Sequence, residues 1–135
     1  MNTYISLFSG AGVGCYGFKM EDFECIATNE LIERRLNVQK ANKKCKYQSG
    51  YICGDVTSDE TKALLYAEID LWKRKEKIKS VDVVIATPPC QGMSVANHKK
   101  SDAEIIRNSL VVESIKIIKA IHPKFFVFEN VPAFM

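Results

Sequence analysis

The chain has 135 residues, 47% of them hydrophobic and 26% charged, which suits one soluble globular domain with a modest single core. Its 19 basic and 16 acidic residues leave a net charge of +3, a balance that tolerates a nucleic-acid partner without arguing for one. No apolar run is long enough to span a bilayer and the N-terminus lacks the regions of a signal peptide, so the chain reads as cytoplasmic.

Apolar runs and helical patterns alternate, which predicts a parallel sheet flanked by helices. Tyr4 to Phe8 is the first predicted strand and ends in the glycine-rich loop Ser9-Gly-Ala-Gly-Val-Gly14. Phe23 to Ala27 is the second, ending near Asn29-Glu30, and Leu31 to Lys44 reads as a helix with a basic end. Tyr51-Ile-Cys53 is a short third strand leading into Gly54-Asp55-Val56. Thr57-Ser-Asp-Glu60 has capping-box spacing and starts a predicted helix reaching about Lys79, with Leu64, Leu65, Leu71 and Trp72 on its buried face. The cluster Lys73, Arg74, Lys75, Lys77 and Lys79 is read as a solvated helix end complementing the dipole, in preference to a phosphate site. Val81 to Ala86 is the fourth strand. A polar stretch follows from Asn97 to Asn108, then an amphipathic helix with Val111, Ile115 and Ile118 on one stripe and Leu110, Ile117 and Ile121 beside it. His122-Pro123 ends that helix, and Lys124 to Phe128 forms a fifth strand whose unbroken apolar run suits burial on both faces.

The five cysteines include no C-x-x-C pair, so neither a zinc site nor a disulfide framework announces itself. Cys15, Cys25 and Cys53 are expected in the core, and Cys45, in a lysine-rich stretch, on the surface. Cys90 differs. In Thr87-Pro-Pro-Cys90-Gln-Gly-Met-Ser94 the prolines stop the fourth strand and fix the backbone entering the thiol, which is thereby poised for nucleophilic chemistry. Phe125-Phe-Val-Phe-Glu129 ends the next strand in a carboxylate suited to proton transfer. Ser9 to Gly14, Glu30, Asp55, Cys90 and Glu129 all follow carboxyl ends of predicted strands, the edge where open α/β sheets bind ligands.

The cofactor is less sharply written. Gly12-Val-Gly-Cys-Tyr-Gly17 formally matches G-x-G-x-x-G, and Glu30 sits near the position of a ribose-binding acid, so a nicotinamide cofactor is admissible. Phe8 at the loop entrance and the closely spaced Gly10, Gly12 and Gly14 suit S-adenosylmethionine at least as well. Asp55 would then accept from the adenine amino group.

Together these residues resemble the DNA cytosine-5 methyltransferase family nearly end to end. Phe8-Ser-Gly-Ala-Gly-Val-Gly14 is similar to its first cofactor motif, Glu30 to its ribose-binding acid and Gly54-Asp55-Val56 to its adenine-binding turn. Pro88-Pro-Cys90-Gln91 is similar to its catalytic motif and Phe128-Glu129-Asn130-Val131 to its carboxylate motif. The resemblance implies an α/β, Rossmann-like class I methyltransferase fold, here its first five parallel strands with flanking helices. It implies S-adenosyl-L-methionine as cofactor, held by Phe8, Ser9, Gly10, Ala11, Gly12, Glu30, Leu31, Asp55, Val56, Pro89 and Leu110. It implies Cys90 and Glu129 as catalytic residues, with Gln91 and Ser94 at the substrate, double-stranded DNA as partner, and Lys99, Lys100 and Arg107 on phosphates.

In that family a thiolate adds to C6 of a flipped cytosine and makes C5 nucleophilic toward the sulfonium methyl. Nothing in the sequence resembles the family's paired-arginine motif, target-recognition region or C-terminal cofactor segment. The chain therefore reads as the N-terminal part of a catalytic domain, inactive alone, completed by a C-terminal half or partner subunit. Self-association through the exposed edge of the fifth strand is expected. Three other readings stay open at this point: a nicotinamide oxidoreductase, a transfer-RNA cytosine methyltransferase, and a non-catalytic S-adenosylmethionine-binding subunit.

Overall fold

The computed structural model describes residues 1–89 and 102–130, the side chains of 102–108 excepted. Five strands, β1 (Asn2–Leu7), β2 (Phe23–Glu30), β3 (Tyr51–Cys53), β4 (Val83–Ala86) and β5 (Phe125–Phe128), form one sheet in the order β3-β2-β1-β4-β5. Every pairing is parallel. The helices are α1 (Tyr16–Met20), α2 (Glu33–Ala41), α3 (Asp59–Lys75) and α4 (Asp102–Ile121). The strand order turns back between β1 and β4, which opens a crevice beyond their carboxyl ends. This is the parallel sheet that the alternation of apolar runs predicts, in the partial Rossmann-like arrangement that the resemblance implies. Among the described residues no helix is long and apolar enough to cross a membrane.

Alternation along β1 divides the core between the two sheet faces. Ile5 and Leu7 join Ile26, Val84 and Ala86 under Leu65, Ile69 and Trp72 of α3 and Ile117 and Ile118 of α4. Tyr4 goes the other way, with Cys15, Cys25, Cys45, Val83 and Ile85, and stacks on Phe18 of α1 at 4.7 Å. Two cysteines differ from expectation, the first because of this small second cluster. Cys45 is buried, because its sulfur lies 3.6 Å from that of Cys25 and the two residues form a parallel bridge beside β2. Cys53, expected in the core, is exposed at the last position of β3.

The helix edges differ from expectation in ways that have local causes. The cap of α3 is Ser58, whose hydroxyl accepts from the Thr61 amide at 3.1 Å, so the Thr57–Glu60 capping box is not the one used. The helix ends at Lys75, short of Lys79, where Lys77 takes a positive φ of 59°. Its buried face carries Leu65, Ile69 and Trp72, with Leu71 partly buried, while Leu64 is exposed. α4 begins at Asp102, inside the stretch expected to be polar loop, and Ile115 faces solvent while Ser114 is buried. Ser114 tolerates that position because its hydroxyl donates to the Leu110 carbonyl at 2.8 Å.

β5 departs most. Phe125, Phe126 and Val127 are 67%, 62% and 43% exposed, so the strand is not buried on both faces among the described residues. It is the sheet edge there, paired only with β4.

The opposite rim of the sheet is tied by Asp82. Its carboxylate accepts from the Thr3 amide at 2.8 Å and the Thr3 hydroxyl at 3.1 Å, and pairs with Lys124 at 2.6 Å. Burial alone would raise its pKa, but the Lys124 ammonium and both Thr3 donors more than offset this and leave it lowered. A lowered folded-state pKa contributes stability that is present above the ordinary aspartate value of about 4 and lost as pH falls through the folded value. Urea midpoints measured from pH 6 down to pH 3 are therefore expected to fall more steeply for the unaltered chain than for Asp82→Asn, with parallel curves refuting the linkage.

Candidate cofactor and active site

A cavity of about 500 Å³ opens at the carboxyl edge, where the ends of β1, β2, β3 and β4 meet. Of the residues assigned to a cofactor from sequence, Phe8, Gly10, Glu30, Leu31, Asp55, Val56, Pro89 and Leu110 line it. They come from the end of β2, from separate loops and from α4, so only the fold brings them together.

Glu30 is the polar anchor. It is 6% exposed, and its Oε2 accepts from the Gly10 amide at 3.1 Å while Oε1 faces Arg35 at 3.4 Å. Each carboxylate oxygen has room for a second donor, so the group can hold Gly10 and still accept from a ligand hydroxyl. Gly10 has φ 59° and so reaches this bond in the left-handed region that glycine enters without penalty. Phe8, with φ 55°, is held in the same region without that freedom. Thr87 fixes it there, donating its hydroxyl to the Phe8 carbonyl at 2.8 Å and its amide to the Leu7 carbonyl at 3.3 Å. This stitch joins β1 to β4 at the crevice and sets the start of the Pro88-Pro89 segment.

The far wall is built from the end of β3. The Asn29 amide donates to the carbonyls of Ile52 at 3.1 Å and Gly54 at 3.0 Å. At Gly54 a Cβ would lie 2.4 Å from the buried Thr61 hydroxyl, so only glycine lets this turn sit against the start of α3. Asp55 then turns back on itself, its Oδ1 accepting from the amide and hydroxyl of Thr57 at 2.8 Å each. Val56 is buried, while Asp55 is exposed at the cavity rim.

Other sequence-assigned residues fall elsewhere. Ser9, Ala11 and Gly12 do not line this cavity. Ser9 donates to the Asn29 carbonyl at 3.1 Å, and Ala11 and Gly12 border a second cavity of about 470 Å³. Gly14 and Gly17 have open space around them and no positive φ, so two positions of the G-x-G-x-x-G match place no demand for glycine. Glu129 follows β5, exposed, with its amide on the Ala86 carbonyl at 3.2 Å. Cys90, Gln91, Ser94, Lys99, Lys100 and the Arg107 side chain lie outside the described residues. The lysine cluster at the end of α3 is on the opposite rim, where Lys75 sits 5.2 Å from the Tyr47 ring. Sequence reading missed Asn29, Arg35 and Thr87, whose only signal is that each lies within a few residues of an assigned position.

The sequence profile described as C-5 cytosine-specific DNA methylase matches residues 2–135. The type II methyltransferase M1.HgaI of Avibacterium volantium is 33% identical over 95% of this chain and 34% of its own length. M1.HphI of Haemophilus parahaemolyticus, also a type II methyltransferase, is 35% identical over 96% of this chain and 32% of its own length. The crystal structure of an Escherichia coli prophage protein assigned to the DNA modification methyltransferases superposes with a TM-score of 0.61 and 28% identity, covering 100% of this chain and 33% of that one. The chain thus spans about a third of the length of these relatives. With a profile match over essentially every residue, the chain belongs to the C-5 cytosine-specific DNA methylase family.

Proposed function

We propose that the switch-point cavity binds S-adenosylmethionine and that the chain contributes the nucleophile and the carboxylate to C5 methylation of cytosine in double-stranded DNA. One observation carries this reading: a buried carboxylate, a glycine turn and apolar walls surround a single cavity beside the segment that leads to Cys90. The residues present fit that cofactor. Glu30 offers acceptors for ribose hydroxyls, Phe8, Val56, Pro89 and Leu110 offer apolar walls to an adenine, and Gly10 lets a methionine moiety approach the backbone. Bound there, the cofactor supplies an electrophilic methyl group.

The remaining chemistry belongs to the chain. The Cys90 thiolate would add to C6 of a cytosine flipped from the duplex, and Glu129 would hold the N3 edge as charge develops. Gln91 and Ser94 would lie at the substrate, and Lys99, Lys100 and Arg107 would contact phosphates. Residues 1–135 form, in this reading, the N-terminal part of a cytoplasmic catalytic domain. Target recognition and the rest of the cofactor pocket come from further polypeptide, in the same chain or a partner. The exposed β5 edge is where such polypeptide, or a second copy, would pair.

Calorimetric titration with S-adenosylhomocysteine, with NADH as control, tests the cofactor assignment. Selective binding of the former is expected, and binding of NADH alone would overturn it. Glu30→Gln removes the charge from its hydrogen bonds to ligand and loop, so affinity is expected to drop about tenfold to a hundredfold. An unchanged affinity would remove Glu30 from the site.

A further inference from the structure

We propose that Gln39, buried near the end of α2, is a positioning residue for the glycine loop; the inference rests on the S-adenosylmethionine reading. Gln39 is 1% exposed, an unusual place for a glutamine in a helix whose only other buried residue is Leu36. Its amide is fully engaged. Nε2 donates to the Gly10 carbonyl at 2.5 Å and to the Ser9 hydroxyl at 2.8 Å. Oε1 accepts from the Lys44 ammonium at 3.1 Å and the Thr28 hydroxyl at 2.7 Å.

An ammonium can only donate and a carbonyl only accept, so this surrounding permits one orientation of the amide. Gly10 is therefore gripped from two directions. Glu30 takes its N–H from the cavity side at 3.1 Å, and Gln39 takes its carbonyl from the α2 side. Gly12 completes the fit, since a Cβ there would lie 3.1 Å from Gln39 Cγ. Gln39 lines the second cavity and not the one assigned to the cofactor, so its influence on the ligand runs through the loop. Lys44 acts one step further back, by fixing which end of the amide faces Gly10.

The test compares the unaltered chain with Gln39→Met, Gln39→Glu and Lys44→Met. Methionine keeps the volume and removes every hydrogen bond. Glutamate keeps the acceptors for Lys44 and Thr28 but sets an oxygen against the Gly10 carbonyl, so it retains packing and pairing while losing the donor. Affinity for S-adenosylhomocysteine, measured by calorimetry well below each melting temperature, is expected to weaken about tenfold for both Gln39 variants and a few-fold for Lys44→Met. Hydrogen exchange at the Gly10 amide is expected to accelerate in the Gln39 variants, because the loop that presents it to Glu30 is released. Lowered melting temperature with unchanged affinity and unchanged Gly10 exchange would reduce Gln39 to a packing role and overturn the proposal. If the unaltered chain binds NADH and no S-adenosylhomocysteine, the cofactor reading falls, and Gly10 exchange then decides separately whether Gln39 holds the loop.

Discussion

Cys90→Ala is expected to abolish covalent capture of DNA containing 5-fluorocytosine and to lower any methyl transfer by on the order of 10⁴-fold or more, as loss of a nucleophile does elsewhere. In the proposed mechanism fluorine at C5 replaces the proton that must leave, so the thiol adduct at C6 would stall and survive denaturing electrophoresis. A thiol without a nucleophilic environment gives no such adduct, which makes the experiment specific for Cys90 as thiolate. Glu129→Gln is expected to retain the thiol yet capture far less DNA, because in the proposed mechanism this carboxylate stabilises the charge that develops at N3. Capture that persists in Cys90→Ala would shift the role to another thiol, and Cys53, exposed at the end of β3, is the one to replace next. The outcome bears directly on how much of the chemistry resides in a chain that covers about a third of its relatives.

Trp72→Ala is expected to cost about 3–5 kcal/mol, a large share of the roughly 5–15 kcal/mol that holds a domain of this size together. Trp72 is 0% exposed and is the largest fully buried side chain, packed edge-on to Tyr47 at 5.8 Å and in one cluster with Ile5, Ile26 and Val84. Removing it would leave a void beneath β1, β2 and β4, the strands whose ends carry the cavity. A fall of on the order of 10 °C or more in melting temperature is the corresponding readout. Trp72→Phe should cost much less. The indole Nε1 has no hydrogen-bond partner among the described residues, so its loss frees the core of an unsatisfied donor. Equal penalties for the two substitutions would mean that the ring's volume is not what the core requires.

The contrast between predicted and observed elements follows a physical pattern. All five strands were legible because each is a short apolar run closed by glycine, asparagine or proline, and their parallel arrangement follows from the helices between them. Burial was legible where the pattern had one reading, as at Trp72 and Leu65, and failed where a neighbour outside the element decided it. Cys45 looks exposed in its lysine-rich stretch, yet a bridge to Cys25 buries it. Leu64 and Ile115 look like core positions, but small differences in helix phase turn both to solvent. The capping box at Thr57 was displaced by one residue because Gly54 allows Thr61 to pack close, and Ser58 is then the hydroxyl that reaches the Thr61 amide.

For the site, the sequence by itself determined the chemical inventory: a thiol after two prolines, a carboxylate ending the fifth strand, an acid ending the second, and a glycine loop ending the first. These are local signals, since each rests on a backbone or side-chain property of a few adjacent residues. What only the tertiary structure decided is which of them share a space. It set Glu30, Asp55, Val56, Pro89 and Leu110 around one cavity, and it turned Ala11 and Gly12 toward another. It also gave Gln39 its grip on Gly10, a contact between residues 29 positions apart. No local pattern marks such a glutamine, because its burial depends on hydrogen-bond partners that only the packed sheet and helix supply.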